Sequence, residues 1–370
     1  MRIYSSLLVP LLFSLCLLGC ASSSPSGGAG RDALLPKYRA AADHMRRAEF
    51  DAARPLLDDA VVTLGGLTAG DVSARKARGY FQSESRKNFR GEPYERVMAF
   101  FYRGILYWMD GEPDNARACF RSAQLEDSDA EAGKYQADYA ILDYLDGLVT
   151  AKLGGGSADF LARARANARL GSLPDYDTAA NILVFFEMGR GPTKYSSGEY
   201  GEQLRFKTGS SRSTAVVLSG SGLSLRVGPS DDLSFQATTR GGRQMDHVLA
   251  NKAVFKGTTD GFGDAAIISG AILAGTAGRR TAADEVGAGL LIAGLVSKVI
   301  SAAATPSADT RAWDNLPNLI GFTAFRLPEG SHQLKADFVD ASGAITLSRT
   351  ISIKVEPGTR DTVLFLSDRP

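Results

Sequence analysis

At Gly171-Ser172-Leu173-Pro174 the spacing of the apolar residues changes, and the chain divides there into two folding regimes. Before this point apolar side chains recur three and four residues apart, which places them on one face of a helix. After it they alternate, or run continuously in short stretches bounded by Gly, Pro and Ser, which is the pattern of strands. Helices first and strands later predict a multidomain α+β fold: helical hairpins followed by an antiparallel β domain.

The helices read as pairs. The first spans about 36–47 and 50–63 and breaks at Gly65-Gly66, with Ala53, Leu57 and Ala60 on one face of its second member. The second pair is sharper. Pro93 stands where proline is tolerated at a helix start, and the first helix runs to Met109, where Asp110-Gly111-Glu112-Pro113 stops it. The partner helix covers about 114–124. A third pair is expected at 131–152 and 157–170, with Gly154-Gly155-Gly156 between its halves. Residues 68–90 carry a weaker stripe, Ala74, Ala77 and Phe81, which favours a further helix over a long structureless loop.

In the second pair Phe100, Gly104, Tyr107, Ala116, Phe120 and Ala123 resemble the large, small, aromatic, small, aromatic and small positions of a tetratricopeptide repeat. Gly104 and Ala116 let two helices approach closely, while Tyr107 and Phe120 fill the space beside the crossing. The first pair matches only in part, having His44 where the aromatic belongs. The resemblance implies a short solenoid whose concave face either binds a protein or peptide, or is filled by the rest of the chain.

In the strand half, 180–187 is a continuous apolar run expected to be buried on both faces, followed by a turn over 188–194. Further strands are expected at 202–207, 213–218, 223–227, 233–237, 321–326, 333–339, 344–355 and 362–366. They form one sheet or a small sandwich; a separate immunoglobulin-like module from Trp313 onward is the alternative. A helical insertion is expected at about 245–304. Its apolar segments, 265–275 and 286–300, fall short of the roughly 20 residues that span a bilayer. They read as a buried helical hairpin, with a bilayer-contacting pair as the alternative.

Three stretches sharpen the resemblance: Phe89-Arg90-Gly91-Glu92-Pro93-Tyr94-Glu95-Arg96, then Glu187-x-Gly189-x-x-Pro192-x-Lys194, then Asp309-Thr310-Arg311-x-Trp313. Together they are similar to a family of uncharacterised bacterial lipoproteins that joins a repeat-like helical half to a strand-rich half. That family implies no activity and no ligand. Taken by themselves, the residues suggest local structure: a turn shaped by Gly189 and Pro192 with Lys194 covering Glu187, and an Asp309–Arg311 pair beside a buried Trp313.

The start of the chain concerns location. Met1-Arg2, an apolar run over 7–18 and Leu17-Leu18-Gly19-Cys20 resemble a secretory leader ending in a bacterial lipobox, the motif at which a cysteine is lipidated and the leader removed. Ser- and Gly-rich residues after Cys20 suit a flexible tether. The expected organisation is therefore 1–19 leader, 20–31 tether, 32–172 helical domain and 180–370 β domain. The resemblance implies a palmitate-type anchor on Cys20 and, with Ala21 in the sorting position, the periplasmic face of an outer membrane.

Loss of Arg2 with the leader leaves equal numbers of basic and acidic residues, a balance that argues against nucleic acid, which is bound through clustered Lys and Arg. Cys16 lies in the leader and Cys20 at the anchor, so Cys119 has no disulfide partner within the chain. His44, His247 and His332 lack metal-ligand spacing. Leu218-Ser219-Gly220-Ser221-Gly222 lacks the first glycine of a nucleophile elbow, and Gly257-Thr258-Thr259-Asp260-Gly261 lacks the lysine of a phosphate loop. No catalytic, metal or cofactor residue is expected. The leading expectation is a lipid-anchored envelope protein that binds a protein or peptide; a wall or polysaccharide hydrolase and a purely structural lipoprotein are the alternatives.

Overall fold

The computed structural model describes residues 32–65, 88–128, 135–239 and 307–369. Cys20, the leader, the tether, the helix expected within 68–87 and the insertion at 245–304 lie outside the described residues.

The helices pair as their spacing predicts. Helix α1 (Leu34–Arg46) packs on α2 (Phe50–Gly65), α3 (Pro93–Met109) on α4 (Pro113–Asp127) and α5 (Ala140–Lys152) on α6 (Ala158–Asn167). Helix α3 is central and buried nearly all round. Gly104 lets it close on α4, because a Cβ there would meet Phe120 Cε1 at 2.6 Å. Ala116, Phe120 and Ala123 are all fully buried, so the repeat-like positions serve as core; Tyr107 is half-buried beneath the Arg103 guanidinium. Helix α5 begins at Ala140, later than the start expected for the helix at 131–152. The turn ahead of it includes Ala137 at φ 52°, a conformation that ends helical continuity.

The strands are β1 (Ile182–Met188), β2 (Thr193–Ser197), β3 (Gln203–Lys207), β4 (Ala215–Gly220), β5 (Leu223–Val227), β6 (Asp231–Asp232), β7 (Leu319–Phe325), β8 (Gly330–Val339), β9 (Ile345–Val355) and β10 (Thr362–Ser367). They form a first sheet in the order β10-β1-β7-β6, a second in the order β5-β4-β8-β9, and the separate hairpin β2-β3. Pairing is antiparallel except that β10 joins β1 in parallel. Residues 233–237 are not a strand. They lie in a short helix, α7 (Leu233–Thr238), started by the Asp232 carboxylate, which accepts from Ser234 N at 2.7 Å.

Three layers result. The first sheet lies between the helices and the second sheet, and β1 shows why its sequence is apolar throughout. Ile182, Val184, Phe186 and Met188 pack with Val216, Leu218, Leu334 and Phe338 of the second sheet. Leu183 and Phe185 point the other way, into one core with Tyr38, Phe101, Trp108 and Leu145 of the helices.

Candidate functional site

The motif residues of the sequence meet where the helices rest on the first sheet. Glu187 is on the helix-facing side of β1, and Lys194 does not cover it. Arg46 of α1 does, donating to Glu187 Oε1 at 2.5 Å, while Tyr102 Oη and Ser367 Oγ donate to the same carboxylate at 2.5 and 3.0 Å. Both ion-pair side chains are 1% exposed. Lys194 instead reaches α3, where its Nζ donates to Glu95 Oε2 at 2.5 Å and to the Arg311 carbonyl at 2.9 Å.

The turn between the two residues is clamped. Gly189 has φ +73°, and a Cβ on it would meet Ser210 O at 2.4 Å; Pro192 beyond it is buried. The motif thus presents one charge to each of two helices.

Glu95 gathers the other two motifs. Its carboxylate accepts from Glu92 N at 2.5 Å, closing the first turn of α3, and from Trp313 N at 2.6 Å. Burial pushes the Glu95 carboxyl above the usual carboxylate range, against the pull of Lys194. Arg311 donates to Asp309 at 2.8 and 2.6 Å and also pairs with Asp32. The Trp313 ring stacks on Tyr38 with centroids 4.3 Å apart. This buried joint fixes the two halves of the chain together.

The row made by the first helices of the hairpins is covered in the same way. Phe101 and Trp108 meet Phe185 with ring centroids 6.1 and 6.2 Å apart, Tyr102 meets Phe365 at 5.9 Å and Tyr144 meets Phe322 at 6.0 Å. Of the two readings of the solenoid face, the chain fills it with its own sheet.

A groove of about 670 Å³ opens elsewhere, between α4, α5 and α6. Arg121 Nε donates to Asp146 at 2.8 Å and Arg163 donates to Asp143 at 3.2 Å. The two guanidinium groups lie 5.9 and 4.8 Å from the centre of the Phe160 ring. Each arginine side chain is 52% exposed and each aspartate 8%, so cations form the mouth and carboxylates the floor. Burial raises the Asp143 carboxyl, with Arg163 opposing it. Gln124 Oε1 lies buried beside them without a hydrogen-bond partner. Planar amide, carboxylate and guanidinium groups on one open surface suit the alternating donors and acceptors of an extended peptide.

Asp143 and Asp146 stand one turn apart on a single helix, each held by an arginine. They line one wall rather than the two sides of a bond to be cut, which is the arrangement glycoside hydrolysis uses. Burial pushes the Cys119 thiol up to about 11, so it is not a ready nucleophile. Among the described residues no cluster of His, Cys, Asp and Glu is arranged to hold a metal ion, and no helix is long and apolar enough to cross a membrane.

The groove residues carried no signal in the sequence, because Arg121, Asp143 and Arg163 have the spacing of ordinary helix surface charge. No protein family model matches the chain, and neither a curated protein nor a solved structure matches it.

Proposed function

We propose that this chain is a lipid-anchored protein of the periplasmic face of an outer membrane that binds another protein or a peptide, as an accessory to envelope assembly or maintenance. The leader ending in Leu17-Leu18-Gly19-Cys20 supports the anchor, and the Ser- and Gly-rich stretch behind it supports a domain held off the bilayer. One observation carries the binding reading. The inner helical row is covered by the first sheet, whereas the groove around Phe160 is open, with Arg121 and Arg163 half-exposed at its mouth and one buried acceptor, Gln124 Oε1, unpaired beside them. A partner chain therefore docks on the outer helical surface and meets Arg121 and Arg163 first.

The test uses the full chain in native membranes, because the shared core makes deletion of either half uninformative. Cross-linked partners are recovered from wild type, from Cys20→Ser and from Arg121→Glu/Arg163→Glu. Cys20→Ser is expected in the soluble fraction, and the double variant is expected to stay membrane-bound while losing a partner that wild type retains. Membrane-bound protein with an intact Met1 and an unmodified Cys20 would refute the anchor. Recovery of the same partners by the double variant would refute the groove.

A further inference from the structure

Arg121 and Arg163 differ from ordinary surface arginines in being held in place. Arg121 donates through Nε to Asp146 Oδ2 at 2.8 Å, and Arg163 through Nε and Nη2 to Asp143 Oδ1 at 3.3 and 3.2 Å. The Phe160 ring lies beside both. Its centre is 5.9 Å from one guanidinium carbon and 4.8 Å from the other, so the two carbons stand within about 11 Å of each other. Gly147 of α5 lets α6 come close enough to seat that ring, because a Cβ there would meet Phe160 Cβ at 2.6 Å. A guanidinium fixed by a carboxylate behind it and a ring at its side has lost much of its rotamer freedom before any ligand arrives.

The pairing behind leaves donors in front. Among the described residues, Nη1 and Nη2 of Arg121 and Nη1 of Arg163 donate to no protein acceptor. Each ion pair turns its positive end outward, since the arginine side chains are 52% exposed and the aspartates 8%. Asp159, one turn ahead of Arg163, is exposed but does not line the groove. A carboxylate arriving from solvent therefore meets a guanidinium before it nears an aspartate, and attraction outweighs repulsion because both fall with distance. An ammonium group meets the opposite balance. Leu125 stands one turn beyond Arg121 on α4 and is 73% exposed, which places an apolar contact beside that cation.

We infer that the groove selects an acidic segment of its partner: two carboxylates at alternate positions of an extended peptide dock on Arg121 and Arg163, and a neighbouring apolar side chain covers Leu125. This deepens the peptide-binding function proposed above and rests on it. Alternate residues of an extended chain share a face and stand about 7 Å apart, a spacing that fits between the two guanidinium groups. Arg121 receives its carboxylate through both Nη groups, and Arg163 through Nη1.

The probe is a library of random octapeptides with both ends blocked, so that every carboxylate comes from a side chain. It is screened against the full chain in detergent micelles. Peptides retained by wild type are expected to carry Asp or Glu two positions apart with an apolar residue nearby. Replacing both acids of a retained peptide by their amides is expected to weaken binding about tenfold at low salt and less at high salt. That comparison is made on wild type, so it does not depend on how a variant folds. Arg121→Gln/Arg163→Gln is expected to bind the acid and amide forms alike. Retention of neutral or basic peptides, equal binding of the two forms by wild type, a preference that survives in the double variant, or no retention at all would each overturn the inference. Neutral peptides that bind wild type and are lost in Arg121→Glu/Arg163→Glu would remove the acid preference while the groove itself stands.

Discussion

Glu187 shows what one residue decides. Its carboxylate is buried 141 positions away in sequence from the guanidinium that balances it, and two hydroxyls donate to it as well. Removing one member of such a pair strands a charge in a dry site, which costs roughly 3–5 kcal/mol. Arg46→Met is therefore expected to lower the unfolding free energy by that amount, measured by urea denaturation. Adding Glu187→Met to Arg46→Met should recover part of the loss and no more, because Tyr102 and Ser367 then lose their acceptor. Full recovery would mean the hydroxyls contribute nothing.

The sequence makes Glu187 conspicuous and points it at the wrong partner. Lys194 stands seven positions further on, a spacing that suggests a local pair across a turn. In fact β1 and the clamped turn aim the two side chains at different helices, and Lys194 finds Glu95 across 99 positions. Asp309 and Arg311 are legible because their contact is local. Arg46 is not, since a charged residue reads as surface until the element that covers it is known.

Elements were readable where the local signals agree. Helix α3 begins at Pro93 and ends at Met109 as its proline and its Asp-Gly-Glu-Pro stop require, and β1 is buried on both faces as its unbroken apolar run implies. Helix α7 was not readable from periodicity, because six residues are too few to separate a helical spacing from an alternating one. Strand β2 hides for a related reason: most of its residues are exposed, so it carries no apolar pattern.

How elements are tied together is a separate matter, and Asp361 is the clearest tie. Just ahead of β10, its carboxylate accepts from Trp108 Nε1 of α3 and from Lys152 Nζ of α5, each at 2.8 Å. The lysine and aspartate side chains are 4% and 7% exposed. Asp361→Ala is expected to cost roughly 3 kcal/mol, the low end for a broken buried pair, because Lys152 keeps the carbonyl of Ala180. Chemical denaturation followed by tryptophan fluorescence checks the value. A loss under about 1 kcal/mol, the size of an exposed pair, would show that Asp361 does not join the layers.

At the scale of the molecule, the change of period at Gly171 separates helices from strands in sequence but does not say how they stack. Apolar spacing marks which face of a helix is buried and is silent about what buries it. Here the covering surface is the first sheet, and the core is continuous from Tyr38, Phe101, Tyr102, Trp108 and Tyr144 to Leu183, Phe185 and Phe322. Those five helical aromatics would meet water if the strands were removed, at about 2 kcal/mol each when fully exposed. The sum, on the order of 10 kcal/mol, equals the entire net stability of an ordinary domain. The described chain is therefore expected to unfold in one transition, and a fragment of residues 32–172 is expected to lack a cooperative thermal melt and to be cut rapidly by protease. A sharp melt with near-native helicity in that fragment would show that the hairpins are stable without the sheet, and that the contacts joining the layers fix orientation more than they hold the fold.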